Sequence, residues 1–300
     1  MCQLVNIFVC IDFDRDYALP VKNIQHAISY PLKEQPKDIL SDPKLSASLK
    51  GTLNCFKSLI DYLTDFAIPS TFYFEARSLQ MLNSTNPKYA SLLKKEIFEH
   101  GIHGFDHEDL TGDETGIALD RNEELQIIKK AQVEIESILD TKVYGFRAPY
   151  MKHTANTFDI LNKLKIQYDS SLYLESEKAI KPHEIYENLL EFPVIKTPKQ
   201  SVMGGMYTYL WPLFEGKRKA EDVISNYLQL VKNTQEDDSY ISINLHSWHF
   251  SYNISQERYL SELETEENIQ IFRNLINKLQ ESGEVKLSTP KMWLKERKLI

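Results

Sequence analysis

The sequence predicts an α/β protein in which strands and helices alternate around a parallel sheet, with enough repeats to approach a β/α barrel. Short apolar runs rich in β-branched and aromatic residues recur along the chain, and helical periodicity fills most of the intervals between them. The 300 residues, 42% of them hydrophobic, can bury the core that such a barrel needs. We predict strands at residues 4–11, 70–74, 101–103, 143–147, 167–171, 191–195, 240–246 and 285–288.

The helices are predicted from apolar residues that recur at i, i+3 and i+4. The pattern is clearest in residues 51–66, where Leu53, Phe56 and Ile60 fall on one helical face. The same period predicts helices at residues 121–139, 154–164, 221–231 and 255–280. Because parallel strands need crossover connections, this alternation indicates βαβ units.

Two long segments interrupt the alternation, and neither has the composition of a domain linker. Residues 16–50 contain prolines at positions 20, 31, 36 and 43, and residues 196–219 contain Tyr207, Tyr209 and Trp211. Long loops in compact domains are usually functional or disordered. The three aromatic side chains are candidates for stacking on a ligand, with core packing as the alternative. We expect a single domain over residues 1–300.

Composition excludes several classes of protein. A formal net charge of −8 argues against a nucleic-acid binder, which normally presents a basic face. The three cysteines form no CxxC pair, which argues against a disulfide framework or a zinc ribbon. The first apolar run is too short to span a membrane, and no basic stretch precedes it as in a signal peptide. We expect a cytoplasmic protein with no transmembrane segment, and the sequence leaves its oligomeric state open.

A pair of carboxylates follows the first predicted strand. Asp12 and Asp14 come directly after the apolar run, and alternate residues of a strand project to the same side. Both could therefore face one site, where one carboxylate binds a metal ion and the other accepts a proton. The alternative is a turn or a helix cap, which is a common role of aspartate at a strand end.

A histidine pair, His103 and His107, lies in the segment His-Gly-Phe-Asp-His. This spacing alone is a weak signal of metal binding, and surface or helix-capping histidines are the alternative. Gly101 and Gly104 strengthen the signal because glycine permits close backbone approach and sharp bends. One carboxylate with two imidazoles is a common way to bind a divalent metal ion with coordination positions left open.

Two later motifs also end predicted strands. Arg147 could hold a carboxylate with its guanidinium fork, and a backbone N–H beyond the following proline could stabilise an oxyanion. His246 could donate a proton to a leaving amine. Taken alone, the first is better explained as a surface arginine before a turn, and the second as a half-buried histidine hydrogen-bonded to the backbone. In a β/α barrel, however, the carboxyl ends of the strands meet at one mouth, so we expect all these side chains to converge.

Together the motifs resemble the polysaccharide deacetylase superfamily, the NodB-type domains of carbohydrate esterase family 4, over nearly the whole chain. The resemblance implies a distorted β/α barrel of about seven parallel strands. It implies a catalytic base and a metal ligand in Asp12 and Asp14, with His103 and His107 as further metal ligands. It also implies the roles of the remaining catalytic residues: an arginine that orients the base, a tyrosine backbone N–H that binds the oxyanion, and a general-acid histidine in its imidazolium form, at Arg147, Tyr150 and His246. In some members, an aspartate at the position of Asp169 supports that histidine.

The chain departs from the family pattern at its first motif, which reads D-x-D-x-D instead of adjacent aspartates followed by Gly-Pro. This variant is similar to the allantoinase-like branch and to the deformylases of lipid-linked aminosugars. Asp16 is therefore an alternative to Asp14 as a ligand. Residues 16–50 read as an insertion near the active site that covers a small substrate or builds a subunit contact, such as one in a homo-oligomer.

The resemblance implies a metal-dependent hydrolase that uses Zn²⁺, or another divalent ion such as Co²⁺ or Ni²⁺. The reaction expected is removal of an N-acetyl or N-formyl group from an amino sugar or sugar conjugate, so the partner expected is an N-acylated sugar or glycan. Two alternatives remain: hydrolysis of a non-sugar C–N bond in a cyclic amide or ureide, and a non-catalytic descendant that binds a glycan.

Overall fold

The computed structural model describes residues 4–30, 46–234 and 236–300. The strands are β1 Val5–Phe13, β2 Leu19–Val21, β3 Ile24–Ile28, β4 Ser70–Phe74, β5 Phe98–Ile102, β6 Gly145–Phe146, β7 Tyr168–Asp169, β8 Tyr173–Glu175, β9 His183–Tyr186, β10 Leu189–Glu191, β11 Val194–Lys196, β12 Tyr240–His246, β13 Tyr252–Asn253, β14 Arg258–Tyr259 and β15 Val285–Ser288. The α-helices are α1 Lys50–Asp65, α2 Ala76–Thr85, α3 Pro87–Leu92, α4 Arg121–Leu139, α5 Thr157–Lys163, α6 Trp211–Phe214, α7 Ala220–Lys232, α8 Glu262–Glu281 and α9 Pro290–Glu296. None of these helices is both long and apolar enough to cross a membrane.

Within the described residues, nine strands form one curled sheet in the order β12-β1-β4-β5-β6-β7-β10-β9, with β15 also paired to β1. All neighbours are parallel except β9 and β10. The distortion lies between β10 and β12, where isolated bridges from Lys196 to Tyr207 and from Tyr209 to Asn244 replace a regular strand. The predicted fold class, a distorted β/α barrel with about seven parallel strands, is confirmed.

The central strand β1 forms because its sequence is almost continuously apolar. All nine of its residues are buried, as expected for a parallel strand covered on both faces. It pairs with β12 along residues 6–12, with β15 along residues 5–8 and with β4 along residues 9–13. These three neighbours fix the position of the first aspartate motif.

The predicted helices are present, with one correction. The helix expected at residues 255–280 begins at Glu262, because residues 252–259 form the hairpin β13–β14. Its start is set by a capping box between Ser261 and Glu264. Helices α2, α3, α6 and α9 were not predicted, although Pro87 and Pro290 at the first helical position and the caps Asn86 and Thr289 are start signals.

Two other expectations change in detail. The strand predicted at residues 191–195 is two strands, β10 and β11, because Pro193 has no N–H to donate and interrupts the ladder. Part of the segment 16–50 is regular, since β2 and β3 form a hairpin. Residues 31–45 of that segment lie outside the described residues.

Burial in the helical layer gives a test of the fold. Ile128 on α4 is fully buried where the helix packs against β5 and α2, whereas the adjacent Lys129 is exposed. We expect Ile128→Ala to lower the free energy of unfolding by about 2–5 kcal/mol, because it leaves a cavity. Lys129→Ala, the matched control, should change it little. Urea denaturation measures both, and equal effects would contradict this packing.

Candidate active site

The predicted site residues lie at the carboxyl ends of neighbouring strands. Asp12 on β1 is directly paired with His246 on β12, His103 follows β5, and Arg147 follows β6. A cavity of about 440 Å³ opens at this end of the sheet. Six of the predicted residues line it: Asp12, Asp14, His103, His107, Tyr150 and His246. Arg147 lies behind the cavity wall and is fully buried.

Asp14, His103 and His107 form a group that fits a divalent metal ion. One potential ligand atom from each lies within 4.8 Å of the other two, and all three residues are buried. The Nδ1 atom of His103 lies 2.8 Å from the carbonyl oxygen of Arg147. That contact assigns the proton to Nδ1 and leaves Nε2 as a lone-pair donor, which is how metal-binding histidines are usually held. Trp248 donates to Oδ1 of Asp14 at 2.8 Å, which leaves Oδ2 available.

Electrostatics support the same assignment. Burial raises the pKa of Asp14 well above its ordinary value, and the nearby carboxylates of Asp12 and Glu75 raise it further. Burial lowers the pKa of His103 and of His107, so both rings favour the neutral form that binds metal. A divalent cation would supply the positive charge that the buried carboxylate of Asp14 lacks among the described residues. The donor set therefore fits a divalent metal ion.

The His-Gly-Phe-Asp-His loop has an unusual backbone that brings the two rings together. Gly104 has φ +76° and His107 has φ +54°, both in the left-handed region. The carboxylate of Glu108 accepts the N–H groups of Phe105 and Asp106 at 2.8 and 2.9 Å. The ring of His107 then meets that of His103 with centroids 4.9 Å apart. Glu108 is a positioning residue that spacing alone does not reveal.

A second clamp holds the same loop against the sheet. Arg77 on α2 donates from two nitrogens to the two carboxylate oxygens of Asp106, at 2.9 and 3.2 Å. Arg15, fully buried, donates from Nε to Glu75 at 2.7 Å and from Nη2 to the carbonyl oxygen of Asp106 at 3.1 Å. Such fork-shaped pairs fix orientation as well as charge. The metal-ligand loop is thus tied to β1 and α2.

Arg147 holds Asp12 in its ionised form. The guanidinium donates from Nη1 to Oδ1 of Asp12 at 2.8 Å. Burial raises the pKa of Asp12, but the charge and hydrogen bond of Arg147 together with the nearby rings of His103 and His246 more than offset it, so the pKa is lowered. Tyr209 donates to the other oxygen, Oδ2, at 3.3 Å. The sequence predicts Tyr209 only as an aromatic residue that could stack on a ligand. Its hydroxyl reaches Asp12 because Tyr209 forms an isolated β-bridge with Asn244 on β12.

Tyr150 and His246 face the same cavity. Tyr150 has φ +58°, and its ring packs edge-on against His107 with centroids 4.7 Å apart. Burial lowers the pKa of His246 to about 4, which favours the neutral ring instead of the imidazolium implied by the family resemblance. Its Nδ1 lies 3.2 Å from Nδ1 of His249, a buried residue that sequence reasoning did not select. The spacing of His246 and His249 was the available signal.

Asp169 has a different role from the one that the resemblance implies. Its carboxylate accepts the hydroxyl of Ser171 at 2.6 Å and the N–H of Ser171 at 3.1 Å. The same Ser171 hydroxyl oxygen accepts the N–H of Ala148 at 2.8 Å. Asp169 therefore supports the turn that follows Arg147, whereas the polar contact of His246 is with His249.

Asp16 points away from the metal-ligand group. Its carboxylate accepts the N–H groups of Gly51 and Thr52 at 2.6 and 3.3 Å, at the start of α1, and the hydroxyl of Tyr259 at 2.9 Å. Burial raises the pKa of Asp16 to about 7. Its oxygens are thus used to cap a helix, and Asp14 takes the place beside the histidines.

The aromatic candidates separate into two groups. Trp211 and Tyr209 line the cavity, as the sequence predicts for ligand-stacking residues. Tyr207 packs against Tyr173, with ring centroids 5.0 Å apart, and against the ammonium group of Lys196. Of these three residues, Tyr207 is therefore placed for packing.

Comparison with known proteins supports the resemblance. The polysaccharide deacetylase family model matches residues 50–168, which include His103, His107, Arg147 and Tyr150. A comparison with curated proteins finds no match.

Solved structures of low sequence identity share the fold. A Mycobacterium smegmatis protein assigned as a polysaccharide deacetylase is 17% identical, with a TM-score of 0.66 and coverage of 99% of this chain and 91% of that one. Puue allantoinase is 12% identical, with a TM-score of 0.62 and coverage of 98% and 90%. A Pseudomonas aeruginosa PAO1 protein assigned as a polysaccharide deacetylase is 12% identical, with a TM-score of 0.60 and coverage of 98% and 92%.

The fold and the site define a distorted β/α-barrel protein in which acidic and histidine side chains meet at the strand ends. Residues 50–168 match the polysaccharide deacetylase family model, and the chain carries a D-x-D motif ahead of the matched region.

The metal assignment is testable by binding. We expect Asp14→Ala and His103→Ala each to weaken zinc affinity by about a hundredfold or more, because each removes one ligand of a small set. His183→Ala, which removes an exposed histidine on β9, and Asp16→Asn should retain wild-type affinity. Equilibrium dialysis against a competing chelator measures the affinity. Zinc lost in Asp16→Asn but kept in Asp14→Ala would exchange the roles of the two aspartates.

The buried pair of Arg147 and Asp12 predicts a stability effect. Arg147→Gln leaves a buried carboxylate without its cation, which typically costs about 3–5 kcal/mol of the free energy of unfolding. Arg121→Gln removes an arginine from an exposed ion pair with Asp159 and should have little effect. Urea denaturation compares the two variants. A small effect in Arg147→Gln would show that Asp12 does not depend on this partner.

Proposed function

We propose that this protein is a metal-dependent hydrolase that removes an N-acyl group, acetyl or formyl, from an amino sugar or sugar conjugate. One observation carries the proposal: in a single cavity, Asp12, which is held from behind the wall by buried Arg147, lies beside the group Asp14, His103 and His107. A proton acceptor next to a metal-binding group is an arrangement that can hydrolyse an unactivated amide. The family match supports amide hydrolysis as the reaction class.

Asp14, His103 and His107 would hold the metal, which we propose to be Zn²⁺, Co²⁺ or Ni²⁺. When bound, such an ion supplies Lewis-acid polarisation of the acyl carbonyl and lowers the pKa of water. Neighbouring groups orient two of these ligands, since the carbonyl oxygen of Arg147 holds the ring of His103 and Trp248 holds one oxygen of Asp14.

Asp12 is the proposed general base. Its Oδ1 is occupied by Arg147 at 2.8 Å, whereas Oδ2 accepts only the longer hydrogen bond from Tyr209 among its side-chain contacts in the described part of the chain. Because its pKa is lowered, Asp12 is ionised at neutral pH and Oδ2 can accept the proton of the attacking water. Arg147 keeps the carboxylate aimed throughout.

Tyr150 and His246 complete the proposed chemistry. The backbone N–H of Tyr150 donates to the oxyanion as the carbonyl carbon becomes tetrahedral. His246 donates a proton to the departing amine. In the neutral pair, one Nδ1 donates and the other accepts; when His249 donates, His246 keeps its proton on Nε2. The products are a free amine and acetate or formate.

The shape of the cavity supports a small substrate. Its volume of about 440 Å³ falls in the range of small-molecule pockets. Tyr17 and Ala18, at the start of the segment 16–50, form part of its wall. We therefore propose that the start of this insertion, at Tyr17 and Ala18, encloses a monosaccharide or a sugar conjugate instead of opening a groove for a long polymer.

A second candidate is hydrolysis of a cyclic amide or ureide. The small cavity and the D-x-D motif are compatible with a heterocycle as well as with a sugar. The products separate the two activities, since ring opening releases no acetate or formate.

The proposal is tested with zinc-loaded protein and a panel of N-acetyl and N-formyl amino sugars. We expect acetate or formate release that falls by about a hundredfold or more in kcat for Asp12→Asn, because the general base is lost. The same variant should retain zinc, which distinguishes lost catalysis from lost metal. Asp237→Asn, at an exposed position, is the matched control. No release from any sugar by the zinc-loaded protein, or full activity in Asp12→Asn, would refute the proposal.

A further inference from the structure

Lys217 is the one lysine or arginine among the described residues that line the active-site cavity. In the same cavity, Arg147 offsets the charge of Asp12 and the proposed metal ion would offset that of Asp14, which leaves Lys217 as the lining cation available to an anionic group of the substrate. The lysine lies just after α6, beside Trp211, another lining residue. Its ammonium nitrogen is 4.7 Å from the centre of the Trp211 ring.

The contact of the Lys217 ammonium group with the Trp211 ring leaves its positive charge without a counterion from the described residues. None of the ion pairs formed within the described part of the chain includes it. The adjacent Arg218 contrasts with it, since its guanidinium donates to the carbonyl oxygens of Met203 and Gly204, both at 3.1 Å. In a chain with 43 acidic and 35 basic residues, a lysine beside a cavity that has no acidic partner among the described residues is available to a ligand.

The turn that carries Lys217 is held in place. The carboxylate of Glu215 accepts the N–H groups of Ile254 and Ser255, both at 2.7 Å. The backbone N–H of Lys217 itself donates to the carbonyl oxygen of Pro212 at 2.8 Å. The backbone therefore presents the side chain from a fixed position, which lowers the entropic cost of binding.

We infer that Lys217 and Trp211 form a subsite for an anionic group, so that the substrate is an N-acylated sugar carrying a phosphate or a carboxylate. This rests on the proposed function and extends it to the charge of the substrate. A lysine ammonium is a compact charge that pairs with phosphate or carboxylate, and the indole face can pack against a sugar ring. Both anions share this chemistry, and separate titrations with a phosphorylated and a carboxylated sugar distinguish them.

The test measures binding of the amine products, so that it does not depend on turnover. Glucosamine, glucosamine 6-phosphate and muramic acid are titrated calorimetrically into zinc-loaded wild-type protein. We expect one or both anionic sugars to bind about tenfold or more tightly than neutral glucosamine, because hydrogen bonds to charged groups are strong. The phosphate and the carboxylate arms identify which anion is preferred.

Variants locate the source of that preference. Lys217→Gln should bring the affinity ratio of anionic to neutral sugar close to one, and Lys217→Arg should retain most of it because the charge is kept. Lys219→Gln, which removes an exposed lysine two residues away, should keep the wild-type ratio.

Four outcomes would overturn the inference. These are equal binding of anionic and neutral sugars by the wild type, no detectable binding of either anionic sugar, a preference that survives Lys217→Gln, or the same loss in Lys219→Gln. A preference for anionic sugars that survives in Lys217→Gln would indicate that the anion binds the metal instead of Lys217.

Acyl release from neutral sugars without any preference for anionic sugars would refute only this subsite. Anionic preference without acyl release would refute only the proposed hydrolase.

Discussion

The site depends on one buried side chain, that of Arg147. Its guanidinium donates to Asp12 on β1 at 2.8 Å, to Asn244 on β12 at 2.9 Å, and to the carbonyl and hydroxyl oxygens of Ser170 after β7 at 3.1 and 3.0 Å. A guanidinium buried in this way is tolerable only when its donors are satisfied, so these contacts fix three parts of the sheet at once. The polar end of the barrel is therefore organised around a single cation.

The same residue couples the proposed base to the metal-ligand group. Its side chain keeps Asp12 ionised, and its carbonyl oxygen accepts the Nδ1 proton of His103. Its own N–H donates to Ile102 at the end of β5, which places the two strand ends in register. Any shift of Arg147 would thus disturb the orientation of Asp12 and the tautomer of His103 together. The proposed base and a proposed metal ligand therefore depend on the same residue.

The sequence predicts most strands and the main members of the site, because burial in a parallel sheet requires long apolar runs and strand ends are marked by polar residues. It could not choose between Asp14 and Asp16, which alternate on the same side of an extended chain. The choice is made by α1, whose N-terminal N–H groups at Gly51 and Thr52 bind Asp16. A contact between residues 35 positions apart leaves no local pattern. The hydroxyl contact of Tyr209 with Asp12 was hidden for the same reason.

His246 shows how a departure from the family pattern changes the chemistry asked of a residue. A carboxylate partner would raise the pKa of a buried imidazole and favour its protonated form. Here Asp169 is used to support the turn after Arg147, and the partner of His246 is the uncharged ring of His249. Burial then lowers the pKa of both rings, that of His246 to about 4. In the reaction that we propose, the proton for the leaving amine then comes from the N–H of a neutral imidazole, and the Nδ1–Nδ1 contact with His249 decides which nitrogen of His246 carries it.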